Sequence, residues 1–278
     1  MLIDTHCHLD APEFAADRSQ VIARARQAGV QSIVVPAVGV FDFQDARRAA
    51  QAAPGGAYAL GIHPLYTPGA GESDLLELER QVQASLDDPR FVAIGEIGLD
   101  YFVPELKTDE AARNQEWIYE RQLDLAQRHG LPVLLHVRRS QDRVLKYLRQ
   151  FSGVGGIAHA FNGSRQQADM FVRQGCALGF GGAMTFGRAK QIRRLAQDLD
   201  LDSIVLETDA PDLAPSWLVE PGTALASVRN EPAEVAGVAA ALAELRGQDV
   251  NAVIAVTGAA ARRVLPRLDA LLSSLHAD

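Results

Sequence analysis

Residues 114–137, NQEWIYERQLDLAQRHGLPVLLHV, contain both halves of the repeat that decides the fold. In the first half, apolar residues recur three and four positions apart, as in an amphipathic helix, and the segment ends at Gly130, a residue type suited to a left-handed helix C-cap. The second half, PVLLHV, is an apolar run of strand length. A helix followed directly by a strand predicts one unit of an alternating α/β fold.

The same alternation runs along most of the chain. Other apolar runs of strand length are MLIDTHCHL, VQSIVVPAV, AYALGIHP, FVAIGEIGL, GGIAHAF, CALGFGG and SIVLETD. About eight such units in a chain of this length predict a (β/α)₈ TIM barrel, with a doubly wound sheet as the alternative. Alanine-rich helix from about residue 231 onward would complete the outer layer. Because no linker or low-complexity segment divides the chain, we expect a single domain over residues 1–278.

The composition limits the class of protein. Of the 278 residues 47% are hydrophobic and 22% charged, and the net charge is −8. No run of about 18 apolar residues predicts a membrane helix, and the acidic balance argues against nonspecific coating of a nucleic-acid duplex. Two cysteines cannot form a disulfide framework, and the first strand starts almost at Met1 without a secretory leader. We therefore expect a cytoplasmic protein.

Two histidines in the first ten residues, MLIDTHCHLD, suggest a metal site. Side chains alternate between the faces of a strand, so His6 and His8 would share one face, together with Asp4. The residues expected to pack on the other face are Ile3, Thr5 and Cys7. One such histidine pair is as consistent with hydrogen-bonded core residues as with metal ligands.

Further ligand-type residues follow at the ends of other predicted strands. In FVAIGEIGLDY, alternation places Val92, Ile94 and Glu96 on one face, with the carboxylate last. The carboxyl ends of barrel strands meet at the active site, so these groups should converge. The set predicted to bind metal is His6, His8, Glu96, His136, His159 and Asp209.

This set offers enough donors for two divalent cations, which would also neutralise the clustered carboxylates. We expect His6, His8 and Asp209 to hold one ion. The other ion would lie between His136 and His159, with Glu96 bridging the two. Nitrogen and oxygen ligands together suit Zn²⁺, Mn²⁺, Ni²⁺ or Co²⁺, and Mg²⁺ less well.

Seven ordered motifs give the chain a specific resemblance. DTHCHLD, GIHP, GEIGLDY, LHVR, HAFNGS, ETDAPDLAP and RNEP resemble the TatD family of metal-dependent deoxyribonucleases, of the amidohydrolase-like barrel class. The resemblance implies a TIM barrel, a divalent metal centre and hydrolysis of DNA, often from the 3′ end of single strands. Its metal ligands fall on the six residues above, and His63 matches a histidine near the substrate phosphate. Arg138 departs from the common pattern in being followed by Arg139 rather than an acid, and residues 215–232 match weakly before Arg229.

We expect a metal-activated water as nucleophile, with Asp209 as general base. His63 and Arg138 would contact the phosphate, assisted by backbone N–H groups at Asn162 and Ser164, although Ser164 is also an ordinary helix N-cap. Glu207 would either orient a ligand histidine or be a buried, hydrogen-bonded acid.

Three functions are consistent with the sequence. The first is a nuclease acting on DNA, without a membrane or an obligate protein partner. The second is a hydrolase of a small ester, lactone, amide or phosphoester at the same site. The third is a binding protein that has kept the metals for stability, which the presence of Asp209 and His63 disfavours.

Overall fold

The structure, a computed structural model, describes residues 1–220 and 222–275. Its sheet has eight parallel strands, and each strand pairs with the next in chain order. This order confirms the predicted TIM barrel and not the doubly wound sheet, in which the strand order reverses. The strands are β1 Leu2–Asp4, β2 Val30–Pro36, β3 Ala57–Leu60, β4 Phe91–Asp100, β5 Val133–Arg138, β6 Gly156–Ala158, β7 Cys176–Phe180 and β8 Ile204–Leu206.

Backbone contacts between the first and last strands close the barrel. The N–H of Thr5 donates to the carbonyl of Leu206 at 3.0 Å. Just beyond both strands, Cys7 and Ala210 form a parallel bridge. This bridge fixes the segments that carry the first histidines and the last acid of the predicted site next to each other.

Helices surround the barrel. The α-helices are α1 Arg18–Gln27, α2 Phe43–Ala52, α3 Glu72–Ser85, α4 Asp109–His129, α5 Gln141–Leu148, α6 Arg165–Arg173, α7 Lys190–Asp198, α8 Val235–Arg246, α9 Val250–Val264 and α10 Pro266–Ser274. Short 3₁₀ helices span Pro12–Phe14, Pro64–Gly69, Pro104–Lys107, Gly182–Thr185, Leu201–Ser203, Ser216–Leu218, Leu225–Ser227 and Pro232–Glu234. Helix α4 ends as predicted, with Gly130 left-handed at φ 61°. It begins earlier than residue 114, because the Thr108 hydroxyl caps it by accepting the N–H of Ala111.

The barrel interior is filled by one cluster of buried apolar side chains. The strands contribute Ile3, Val34, Ala57, Ala59, Val92, Ala93, Leu134, Ile157, Ala177 and Val205. Helices α9 and α10 and the residue between them continue the cluster with Ala260, Ala261, Val264, Leu265, Leu268, Leu271 and Leu272. A second cluster lies between the strands and the surrounding helices. Because α9 contacts β1 and α10 contacts β4, these helices cover the amino-terminal end of the barrel.

Two of the predicted alternations are wrong. In β4, Val92 belongs to the interior cluster but Ile94 packs in the outer one. The register of β4 against β3 shifts after Tyr58, and its register against β5 shifts between Ile94 and Ile97. A shift of this kind exchanges the faces of the residues that follow it. Glu96 therefore reaches the carboxyl end of the barrel through an irregular strand.

The second error concerns the first strand. Ile3 lies in the interior cluster, whereas Cys7 lies in the outer one, so they do not share a face. The strand ends at Asp4 and the chain bends at Thr5, which interrupts the alternation.

No helix in the described ranges is long and apolar enough to cross a membrane. The single-domain prediction for 1–278 stays a prediction, and residues 221 and 276–278 lie outside the described part.

Candidate metal centre

Glu96 is the centre of a group of histidines at the carboxyl end of the barrel. Its side chain is 2% exposed, and both carboxylate oxygens face imidazole nitrogens. The ring atoms within 3.5 Å are His136 Nδ1 at 2.9 Å, His159 Nε2 at 2.9 Å, His6 Nε2 at 3.1 Å, His63 Nε2 at 3.3 Å and His8 Nε2 at 3.5 Å. These histidines come from four different apolar runs of the sequence, and the fold brings them to one carboxylate.

Asp209 is the second acid at this centre. Its Oδ1 lies 3.6 Å from His6 Nε2 and 3.7 Å from His8 Nε2. Its backbone is left-handed, with φ 58°, and its N–H donates to the carbonyl of His6 at 2.8 Å. The side chain of Asp209 is 15% exposed, so it is the more accessible of the two acids.

The ligand-type atoms form three overlapping groups, in each of which all atoms lie within 4.8 Å of one another. The groups are His6, His8 and Asp209; His6, Glu96 and His159; and His63, Glu96 and His136. Imidazole nitrogens mixed with carboxylate oxygens are the donor set that divalent transition metals prefer. The residues present therefore fit a divalent metal ion, and the first group is the set predicted for one ion.

Asp100, which the sequence places only as a residue that could line the mouth of the site, orients His136. Its Oδ2 lies 3.1 Å from His136 Nε2, while its Oδ1 accepts the N–H groups of Phe102 and Val103. Burial raises the pKa of Asp100, but the hydrogen bonds from His136 and the two amides outweigh it and lower the pKa to about 2. An ionised acceptor on Nε2 leaves the lone pair of Nδ1 directed at Glu96. This carboxylate–histidine arrangement is common behind metal ligands.

Glu207 lies behind His159. Its Oε1 accepts the N–H of Ala160 at 2.5 Å and lies 3.9 Å from His159 Nδ1. Burial raises the pKa of Glu207 to about 8. Gly179 makes room for the carboxyl group, because a Cβ at that position would lie 2.0 Å from Glu207 Oε2. The orienting role of Glu207 stays a prediction.

His63 faces the centre as a neutral hydrogen-bond donor. Its Nδ1 accepts the N–H of Leu65 at 3.1 Å, so in the neutral ring the proton is on Nε2. Nε2 lies 3.0 Å from His136 Nδ1 and also faces Glu96. Burial lowers the pKa of His63 to about 4, which keeps the ring neutral at pH 7.

The remaining predicted contacts with substrate lie outside this group. Arg138 is half exposed, with Nη1 3.8 Å from Asp100 Oδ2. Ser164 caps α6: its hydroxyl accepts the N–H of Gln167 at 3.1 Å, and its own N–H donates to the Gln167 side chain at 2.9 Å. Asn162 is exposed, and its carbonyl accepts a hydrogen bond from Gln141 at 2.6 Å. Their roles toward substrate stay predictions.

Two buried polar residues hold the backbone around the centre. Asp4 does not share the face of His6 and His8 as predicted, because the chain bends after it. Its carboxylate instead accepts the hydroxyl of Thr208 at 2.6 Å and the N–H of His6 at 3.3 Å. The Asn230 side-chain amide donates to the carbonyls of Thr208 and Asp212, both at 2.9 Å. No local pattern in the sequence predicts this role, although Asn230 lies in the RNEP motif.

Comparison with known proteins agrees with this geometry. The family model described as TatD related DNase matches residues 3–266. An Escherichia coli K12 protein named uncharacterized metal-dependent hydrolase YjjV is 37% identical over 252 residues, which cover 90% of this chain and 92% of that one. The crystal structure of YjjV, a TatD homologue, superposes with a TM-score of 0.84 at 34% identity, covering 95% and 98% of the two chains.

A Pantoea protein named 3′-5′ ssDNA/RNA exonuclease TatD is 33% identical over 235 residues, covering 83% of this chain and 86% of that protein. The family match extends over nearly all of the described barrel and includes every residue of the candidate centre. The predicted family is thus confirmed: the chain belongs to the TatD-related DNases, a family of metal-dependent hydrolases.

Proposed function

We propose that the protein is a divalent-metal-dependent phosphodiesterase that hydrolyses DNA and releases nucleotides from the 3′ end of single strands. The observation that carries this proposal is Glu96, one buried carboxylate that lies within 3.5 Å of ring nitrogens of both His6 and His8 and of both His136 and His159. The Pantoea relative, by its name, acts on single-stranded DNA and RNA from the 3′ end, which supports the direction and the substrate.

The proposed cofactor is a pair of divalent ions. His6, His8 and Asp209 would hold one ion and His136 with His159 the other, and Glu96 would contact both. When bound, such ions polarise a phosphoryl group and lower the pKa of a water molecule. The nitrogen-rich donor set favours Zn²⁺, Mn²⁺, Ni²⁺ or Co²⁺ over Mg²⁺.

The residues around this centre have complementary tasks. Asp209 is the proposed proton acceptor, since its carboxylate is the more accessible of the two acids and burial raises its pKa, which favours proton uptake. The neutral His63 donates Nε2–H to a phosphate oxygen. Arg138 contributes positive charge at the mouth, 3.8 Å from Asp100. Together they place a donor and a cation where the phosphate gains negative charge.

The two free, buried cysteines suit the proposed cytoplasmic location.

The test is a hydrolysis assay. Protein loaded with Mn²⁺ or Zn²⁺ is incubated with 5′-labelled single-stranded DNA, and the Asp209→Asn variant and EDTA-treated protein serve as controls. We expect the label to move to progressively shorter fragments with wild type only. Turnover of esters or lactones without any turnover of DNA would contradict the proposal and favour a small-molecule hydrolase.

A further inference from the structure

Two arginines converge on one aromatic ring beside the candidate metal centre. Phe102 follows β4 and is 41% exposed. The guanidinium carbon of Arg138 lies 3.9 Å from the centroid of its ring, and that of Arg139 lies 4.7 Å from it. We define these three residues as the Phe102 platform. Each contact is a cation–π interaction, and both arginines remain exposed.

The platform has more positive charge than its neighbours compensate. Among the described residues, Asp100 is the acid within 4.0 Å of Arg138, at 3.8 Å. Asp100 is already shared with His136 and two backbone amides. Within residues 1–220 and 222–275, no ion pair within 4.0 Å is found for Arg139. Two guanidinium groups on one ring repel each other, so the arrangement favours an anion between or beside them.

The backbone conformation of Arg139 directs its side chain to the Phe102 ring. Arg139 is left-handed, with φ 56°, a conformation that is uncommon for residues other than glycine, asparagine and aspartate. An extended residue would carry its side chain to the opposite side of the chain from Arg138. The left-handed turn at the end of β5 instead brings consecutive side chains to the same ring.

The location identifies the class of anion. The carboxylate of Asp100 contacts both Arg138 and His136 and so connects the platform to the candidate centre. We propose that the Phe102 platform binds the backbone of a single-stranded polynucleotide, with Arg138 toward the phosphate being cleaved and Arg139 on the next phosphate along the strand. This inference rests on the proposed nuclease function and adds to it a requirement for at least two consecutive phosphates.

The charge of the whole chain makes such a local site necessary. With a net charge of −8, the protein as a whole repels a polyanion. Binding of a strand therefore depends on the few cations near the centre. A small ester, lactone or isolated phosphodiester has no second phosphate and would gain nothing from Arg139.

The test measures binding and hydrolysis separately. Binding of a fluorescein-labelled 15-nucleotide oligo(dT) is followed by anisotropy in EDTA at several NaCl concentrations between 50 and 200 mM. For Arg139→Ala we expect affinity to fall about threefold to tenfold, and the slope of log affinity against log salt to decrease in size by about 0.7, the value for one phosphate of a single strand. Arg139→Lys should keep most of that slope. Arg80→Ala, which removes an exposed arginine on α3 paired with Glu77, is the matched control and should change neither quantity.

Hydrolysis by metal-loaded protein supplies the second readout. Arg139→Ala should raise KM for the oligonucleotide without changing kcat, and it should leave KM for thymidine 5′-(p-nitrophenyl phosphate), which has one phosphate, unchanged. Phe102→Leu should raise KM for the oligonucleotide at an unchanged melting temperature. Equal affinities of wild type and Arg139→Ala, or no binding by either, would overturn the platform proposal. Binding that depends on Arg139, in a protein that hydrolyses neither substrate with any metal, would support the platform and overturn the proposed nuclease activity.

Discussion

The two ends of the barrel are built from the same eight strands, yet they contain opposite kinds of side chain. At the amino-terminal end the interior is apolar, and Leu265 and Leu268 belong to the same buried cluster as strand residues such as Leu134. At the carboxyl end Glu96 and Asp209 lie among the five histidines. The difference begins within single strands: β5 passes from Leu134 in the apolar cluster to His136 at the centre.

The residues that stabilise the fold therefore lie apart from the residues of the candidate metal centre. Buried apolar area is the main source of folding free energy, whereas buried acids cost free energy unless they are paired or bind a cation. The amino-terminal end therefore stabilises the barrel, and the carboxyl end can hold groups that destabilise it. The expected consequence is that substitutions at one end change stability, whereas substitutions at the other change metal binding and rate.

The largest effect is expected for Glu96→Ala. Because Glu96 faces both His6 and His8 and both His136 and His159, the variant should lose bound metal and hydrolyse DNA at least about 1,000-fold more slowly. Elemental analysis and initial rates measure the two effects. Glu96→Gln, which keeps the side-chain volume, is the matched control for loss of the charge. Two metal ions per chain retained in Glu96→Ala would contradict the bridging role.

At the apolar end, Leu265→Ala should destabilise the fold by about 2–5 kcal/mol, because it leaves a cavity at a fully buried position. Metal content and activity per folded molecule should equal those of wild type. Urea unfolding gives the first quantity and metal analysis with rate assays the others. Reduced metal content in the folded variant would show that the two ends are not separable.

A smaller effect is expected for Asp100→Asn. The amide keeps acceptors for the Phe102 and Val103 N–H groups but removes the charge that orients His136. Metal affinity should fall about 10- to 100-fold, as for other partners of ligand histidines, with little change in melting temperature. Competition with a chelator measures the affinity. An unchanged affinity would mean that His136 is held in place by packing alone.

The smallest expected effect is a change in the free energy of unfolding with pH. Asp42, beside the mouth, accepts the N–H groups of Val38 and Gly39, yet burial raises its pKa from 3.8 to about 6. Between these values the folded state binds a proton that the unfolded state has released, so stability falls as pH rises from about 4 to 6. Relative to Asp42→Asn, wild type should lose about 1–2 kcal/mol over this window, measured by urea unfolding at both pH values. Parallel pH profiles of the two proteins would refute the assignment to Asp42.

The sequence predicted the barrel and the ligand-type residues for different reasons. Gly130 marks the end of α4, and each apolar run gives a strand, because these signals are local. The ordered motifs predicted the family, and the names of the relatives agree with the predicted hydrolase class.

What the sequence did not predict depends on contacts between distant segments. The register shifts in β4 arise from pairing with its neighbours: the shift against β3 precedes Ile94, which simple alternation misplaced, and the shift against β5 spans Glu96. The turn of Asp4 toward Thr208 joins residues 204 positions apart. The hydrogen bond from His136 to Asp100 depends on two strands meeting side by side. None of these contacts has a periodicity along the chain.

Asn230 has a consequence for how this barrel can change over evolution. Its side-chain amide donates to the carbonyls of Thr208 and Asp212, and its backbone N–H donates to the carbonyl of Pro211. The two ends of the segment between Asp212 and Asn230 are therefore held next to each other. Because these bonds hold the chain next to Asp209 from both sides of the segment, we expect changes in the length or sequence of residues 213–229 to leave Asp209 in place. Related barrels can therefore differ in this segment and still keep the position of the acid at the centre.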